Sequence, residues 1–166
     1  MNAWENIGVY LGRTIRIRYL TVLESLADVD TAPSFKKTEM MLYFSRGYEG
    51  SPADKKLVQA AMELKPLALV LAGAGASRAF DTAMAVLCDS ERRSHDLVMT
   101  SFVQEETPSV IAESLLYGTW PAEDRFDGWS NYSILIVGEA GEQGSVLVQA
   151  FRVAASSQKQ NKHVRD

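Results

Sequence analysis

Apolar residues fall into two kinds of run along the chain. Short apolar blocks occur at Met40–Phe44, Leu67–Leu71, Leu97–Val103 and Tyr132–Val137. Their length and bulky composition suit strands buried on both faces. Between the blocks, apolar residues recur at every third and fourth position, the stripe of an amphipathic helix. Leu57, Ala61 and Leu64 form the first stripe, and Phe80, Ala83, Met84 and Leu87 the second. Val110, Ile111 and Leu115 form the third, and Val146, Leu147, Ala150, Phe151 and Ala154 the fourth.

The punctuation agrees with this pattern. Ser51-Pro52-Ala53-Asp54 places a capping hydroxyl, a first-turn proline and a capping-box acid in sequence. Thr107-Pro108 repeats the cap-then-proline logic, Pro66 closes the first helix, and Gly118 with Pro121 closes the third. The clearest unit is 66–90. An apolar strand ends in the turn Gly73-Ala74-Gly75-Ala76, and a helix begins at Ser77. Four such strand–helix pairs predict a three-layer α/β sandwich, Rossmann-like in the loose sense, with a mainly parallel sheet of about four strands. Right-handed crossovers put helices on both faces of such a sheet.

Residues 3–28 are more ambiguous. Ile7, Leu11, Ile15, Tyr19, Val22, Leu23 and Leu26 recur at helical spacing, yet Ile15, Ile17 and Tyr19 alternate with Arg16 and Arg18 as a strand would. Helix is the favoured reading, against Gly8 and Gly12, each of which weakens a helix by about 1 kcal/mol. It predicts an N-terminal helix packed on one face; the alternative is a fifth strand extending the sheet. Arg13, Arg16 and Arg18 then form a solvated basic face, or a contact for an anion or a partner. Packing of the apolar stripe on a second copy would give a homodimer. Asp28–Lys37 reads as a loop. Residues 1–157 are expected to form one domain, followed by a flexible polar tail over 158–166.

Composition narrows the class. The 166 residues are 46% hydrophobic and 23% charged, ordinary for a globular protein and too apolar for wholesale disorder. A net charge of −4 and a pI near 5.3 supply no global field for nucleic acid, and none is expected as a partner. No apolar run reaches the roughly 18 residues of a membrane span, and the N-terminus lacks the basic region of a signal peptide. The expected location is the cytoplasm, with no membrane partner. The single cysteine, Cys88, sits in a helical apolar pattern and is expected to be a buried small hydrophobe. One Cys and two His, His95 and His163, lack zinc-ligand spacing, so no metal site is expected.

In an open parallel sheet, ligands bind beyond the carboxyl ends of the strands. That rule selects Ser45, Arg46 and Gly47 after the first strand, and Gly73, Gly75, Ser77 and Arg78 after the second. It selects Gln104, Glu105 and Glu106 after the third, and Gly138, Glu139 and Gly141 after the fourth. Gly73-Ala-Gly75-Ala-Ser77-Arg78 begins like a dinucleotide fingerprint, but Arg78 replaces the third glycine, so a structural turn is the first reading and an anion site the second. There is no Walker-type Gly-Lys-Ser or Gly-Lys-Thr. Gly75-Ala-Ser77 is half a nucleophile elbow with no histidine placed to serve it. Glu105, Glu106 and Glu139 with Arg46 and Arg78 would make a polar pocket for a small ligand or a divalent cation, or else all five are solvated loop charges.

The segment Thr119–Asn131 holds Trp120, Arg125 and Trp129 among acids. It reads as a cover over one end of the sheet, as a partner surface rich in hot-spot residue types, or as a lid. No complete catalytic constellation is visible, and no cofactor can be named. The leading expectation is therefore a non-enzymatic binding or protein-interaction module. The alternative is a protein, with or without catalysis, that binds a nucleotide or another anionic metabolite at the strand ends.

Overall fold

The computed structural model describes residues 4–20, 37–89, 98–104, 107–118, 128–138 and 141–162, with side chains of the last helix described to Ser157. The described elements run β1 (Glu5–Tyr10), β2 (Arg13–Leu20), β3 (Thr38–Phe44), α1 (Pro52–Glu63), β4 (Ala68–Ala72), α2 (Ala76–Asp89), β5 (Met99–Val103), α3 (Pro108–Leu116), β6 (Asn131–Val137) and α4 (Glu142–Lys162). The six strands form one sheet in the order β1-β2-β6-β3-β4-β5. Among the described strands only β1 and β2 pair antiparallel; every other pair is parallel. The fold is thus α/β with a six-stranded, mostly parallel sheet and four described helices.

The N-terminal helix expectation is wrong. Leu11 and Gly12 take φ of 50° and 76°, as a two-residue hairpin turn requires of both central positions. The chain then returns as β2. Its alternation sends Ile15, Ile17 and Tyr19 to one face of the sheet and Arg16, Arg18 and Leu20 to the other. β2 pairs in parallel with β6, from Thr14 opposite Asn131 to Leu20 opposite Val137. The N-terminal segment therefore adds two strands to the expected four. The three arginines do not form one basic face. Arg13 lies over the Trp129 ring at 3.9 Å, and Arg16 lies over Trp4 at 4.4 Å while its Nε donates to Ser133 Oγ at 2.7 Å.

Strand alternation builds two cores. Met41, Val70, Ile134 and Ile136 meet Ile111 and Leu115 of α3 and Leu147 and Phe151 of α4. On the opposite face, Met40, Leu42, Leu69, Leu71 and Leu135 meet Val58, Ala61 and Met62 of α1 and Ala79 and Ala83 of α2. The chain moves β3→β4→β5 with α1 and α2 on one face, then reverses to β6 with α3 on the other. Reversal of direction with a change of face keeps the hand of the crossovers constant.

Helix ends follow the sequence cues. Ser51 Oγ accepts from Asp54 N at 3.1 Å, while the Asp54 carboxylate accepts from the Glu49 and Gly50 N–H groups at 2.9 and 3.2 Å. α4 continues to Lys162, into the stretch expected as tail. Cys88 is exposed rather than buried. α2 turns Ala79, Ala83 and the flanking Phe80, Met84 and Leu87 inward, and position 88 lies about 100° round the helix from 87.

Two buried polar clusters mark the amino ends of the central strands. Thr38 and Ser133, both fully buried, join Asn131 and Arg16 in a hydrogen-bonded network: Thr38 Oγ1 lies 2.9 Å from Ser133 Oγ and donates to the Asn131 carbonyl oxygen at 2.8 Å. On the other face, Tyr132 and Glu39 are register partners with no exposed surface. The Tyr132 hydroxyl is buried and has no hydrogen-bond partner among the described residues. Burial first, then the Glu39 carboxylate, raise its pKa, against the pull of Arg13; Tyr10 adds to the rise.

A buried hydroxyl without a partner costs about 1–3 kcal/mol. Tyr132→Phe is therefore expected to raise the unfolding free energy by about 1 kcal/mol at neutral pH. The native pKa is raised above the ordinary value of 10.0. The hydroxyl's cost is thus constant below that pH and grows as pH rises beyond it, because only the unfolded chain ionises there. The variant should lose stability less steeply than the parent in alkaline buffer, as read by urea unfolding at neutral and alkaline pH.

Candidate functional site

The carboxyl ends of β3, β4, β5 and β6 point the same way because these strands are parallel. β3 and β6 are neighbours in the sheet, yet the chain leaves them toward opposite faces. From β3 it passes to α1; from β6 it passes to α4, which packs with α3 on the other face. Diverging connections leave a crevice between two adjacent strand ends, the place where open α/β sheets bind ligands. A cleft of about 590 Å³ lies there.

One wall is the turn Ser45-Arg46-Gly47. Gly47 N donates to Phe44 O at 2.9 Å, and Gly47 takes a φ of 83°. Ser45 ties this wall to β6: its N and Oγ both donate to the Val137 carbonyl oxygen, at 3.3 and 2.7 Å. The second wall is the first turn of α4 with the preceding Gly141. Gly144 is pressed against the Tyr19 ring, where an added Cβ would stand 2.6 Å from Cε1. Tyr43 and Ile111 supply an apolar side, and Gly73-Ala74 closes the end toward β4.

Two charges line this space. Arg46 is exposed at the cleft and makes no ion pair among the described residues. Glu142, the acid in the first turn of α4, also lines it. The Tyr43 hydroxyl has no hydrogen bond to another described residue, and burial raises its pKa, so it remains a neutral donor. Among the described residues no group of three His, Cys, Asp or Glu is placed to hold a metal ion, and no described helix is long and apolar enough to cross a membrane.

Of the residues selected from the sequence, the structure brings Arg46 and Gly73 to the cleft, with Ser45, Gly47 and Gly141. Gly75, Ser77 and Arg78 do not line it. Arg78 Nη2 donates to the Tyr48 carbonyl oxygen at 2.7 Å, and Gly75 packs so closely on that carbonyl that a Cβ would stand 2.5 Å from it. Ser77 N donates to Gln104 Oε1 at 3.1 Å, so a side chain from the end of β5 occupies the α2 N-terminus. The turn's bonds are thus structural: it fastens α2 to the segment before α1 and to β5. Glu105, Glu139, Trp120 and Arg125 lie outside the described residues.

Trp129 is half-buried at the amino end of β6, the end opposite the cleft. Its Nε1 donates to the Asn131 carbonyl oxygen at 3.0 Å, and its ring meets Tyr132 edge-on at 5.2 Å. Sequence reasoning missed Tyr43, Ile111, Glu142 and Gln143, which also line the cleft. Tyr43 stood in a recognised strand, but its face depended on register. Glu142 and Gln143 precede the apolar stripe of α4 and gave no periodic signal.

Comparison of the chain with protein-family models, with curated proteins and with solved structures finds no match.

Proposed function

We propose that the chain is a small-molecule-binding protein whose ligand sits in the cleft between the ends of β3 and β6 and carries an anionic group held by Arg46. The observation that supports this most directly is the coincidence of three features. The cleft lies at the reversal point of the sheet, it has the volume of a small-ligand site, and it presents a guanidinium with no ion pair among the described residues. A planar guanidinium suits a carboxylate or phosphate through two parallel hydrogen bonds.

This reverses the ranking drawn from the sequence. The interaction-surface reading drew on three residues, of which the described one, Trp129, spends its N–H and much of its ring on packing. Binding rather than catalysis is the reading, since the Ser45 hydroxyl is engaged with a backbone carbonyl.

A thermal-unfolding screen against carboxylated and phosphorylated metabolites tests it. At least one compound should raise the melting temperature of the parent and leave Arg46→Ala unmoved. A panel that shifts neither protein, or shifts both equally, contradicts the site.

A further inference from the structure

We infer that the ligand of this cleft is a zwitterionic amino acid with a large apolar side chain; the inference rests on the cleft reading above and specifies its chemistry. The described lining carries one cation and one anion, Arg46 and Glu142. They make no ion pair with each other, and neither makes one with another described residue.

Glu142 also decides against a ligand that is only anionic. The positive pole of a helix N-terminus ordinarily attracts anions. Here a carboxylate, Glu142, already stands in the first turn of α4. A phosphate or dicarboxylate placed against α4 would meet like charge at Glu142, whereas an ammonium group would meet the opposite charge of that carboxylate. A carboxylate on Arg46 and an ammonium on Glu142 satisfy both walls together. The remaining surface, the Tyr43 ring and Ile111, is apolar and suits a hydrocarbon or aromatic side chain. A cleft of about 590 Å³ accommodates such a molecule with room for water.

The test compares three probes on the full chain by calorimetric titration: L-phenylalanine, its des-amino analogue 3-phenylpropionate, and its des-carboxy analogue phenethylamine. L-Phenylalanine is expected to bind at least about tenfold more tightly than either analogue, because each analogue leaves one charged wall unmatched. Glu142→Gln should remove the advantage over 3-phenylpropionate while leaving the affinity for 3-phenylpropionate equal or improved. Circular dichroism and unfolding midpoints establish that the variant is folded, and Glu142→Asp, which keeps the charge, should retain part of the advantage.

If 3-phenylpropionate binds as well as L-phenylalanine and Arg46→Ala abolishes both, the cleft reading stands and the zwitterion inference falls. If Glu142→Gln tightens L-phenylalanine, the inference also falls. If none of the three probes binds, the zwitterion inference is overturned. The anion screen described above then decides separately whether the cleft reading survives.

Discussion

Gly73→Ala is expected to lower the unfolding free energy by about 3 kcal/mol or more, enough to remove much of the stability of a chain of this size. Two effects combine at this position. Gly73 holds a φ of 107°, where an L side chain is strained. The Cβ would also stand 2.6 Å from the Phe44 carbonyl oxygen. That neighbour is backbone at the end of β3, so it cannot rotate away as a side chain would. Gly12 supplies the control. It has a φ of 76° but nothing within 4 Å of the added Cβ, so Gly12→Ala should cost about 1 kcal/mol, from strain alone. Urea unfolding of both variants separates crowding from strain. Equal costs would mean that the turn after β4 does not pack against the end of β3, and the cleft would lose its closed end.

The second large effect concerns binding. Arg46→Ala is expected to weaken an anionic ligand about 10- to 100-fold, the range for losing a charge-assisted hydrogen-bond pair. Stability should change by less than about 0.5 kcal/mol, because Arg46 is exposed and holds no described partner. Arg78→Ala should behave in the opposite sense. Its guanidinium bonds the Tyr48 carbonyl oxygen, so truncation should lower stability by about 1 kcal/mol and leave affinity unchanged. Affinity by titration and stability by denaturant melts, measured on both variants, distinguish the ligand-facing arginine from the structural one. Loss of affinity in Arg78→Ala with Arg46→Ala unaffected would move the site to the α2 turn.

Much of the α/β frame is legible in the chain because its signals are local. Pro52 after Ser51, Pro108 after Thr107, and the apolar blocks of β3, β4 and β6 each act within a few residues. The hairpin is not legible for a definite physical reason. Ile7, Leu11, Ile15 and Tyr19 are spaced by four, which keeps one face on a helix and equally one face on a strand. The deciding features are the Leu11-Gly12 turn and the alternation of Ile15, Ile17 and Tyr19 with arginines, both weaker in the pattern than the repeated fours. The strand-end rule selects Arg46 and Gly73, which the structure places at the cleft. It also selects Ser77 and Arg78, which stand after a strand but bond to Gln104 and Tyr48. Which strand ends face an open crevice depends on the order in which strands pair, and the placement of β6 beside β3 leaves no local trace. Glu142 is unread for the same reason, since only the adjacency of β3 and β6 brings it across from Arg46.

Amide chemical-shift mapping tests the central claim most directly. The labelled protein is titrated with the compound that gives the largest thermal shift in the anion screen. Saturable changes should concentrate on the amides of Arg46, Gly47, Ala74, Gln143 and Gly144, around the cleft, and should vanish in Arg46→Ala. Changes centred instead on Trp129 and Tyr132, at the opposite end of β6, or an absence of saturable change at the cleft, would contradict the account.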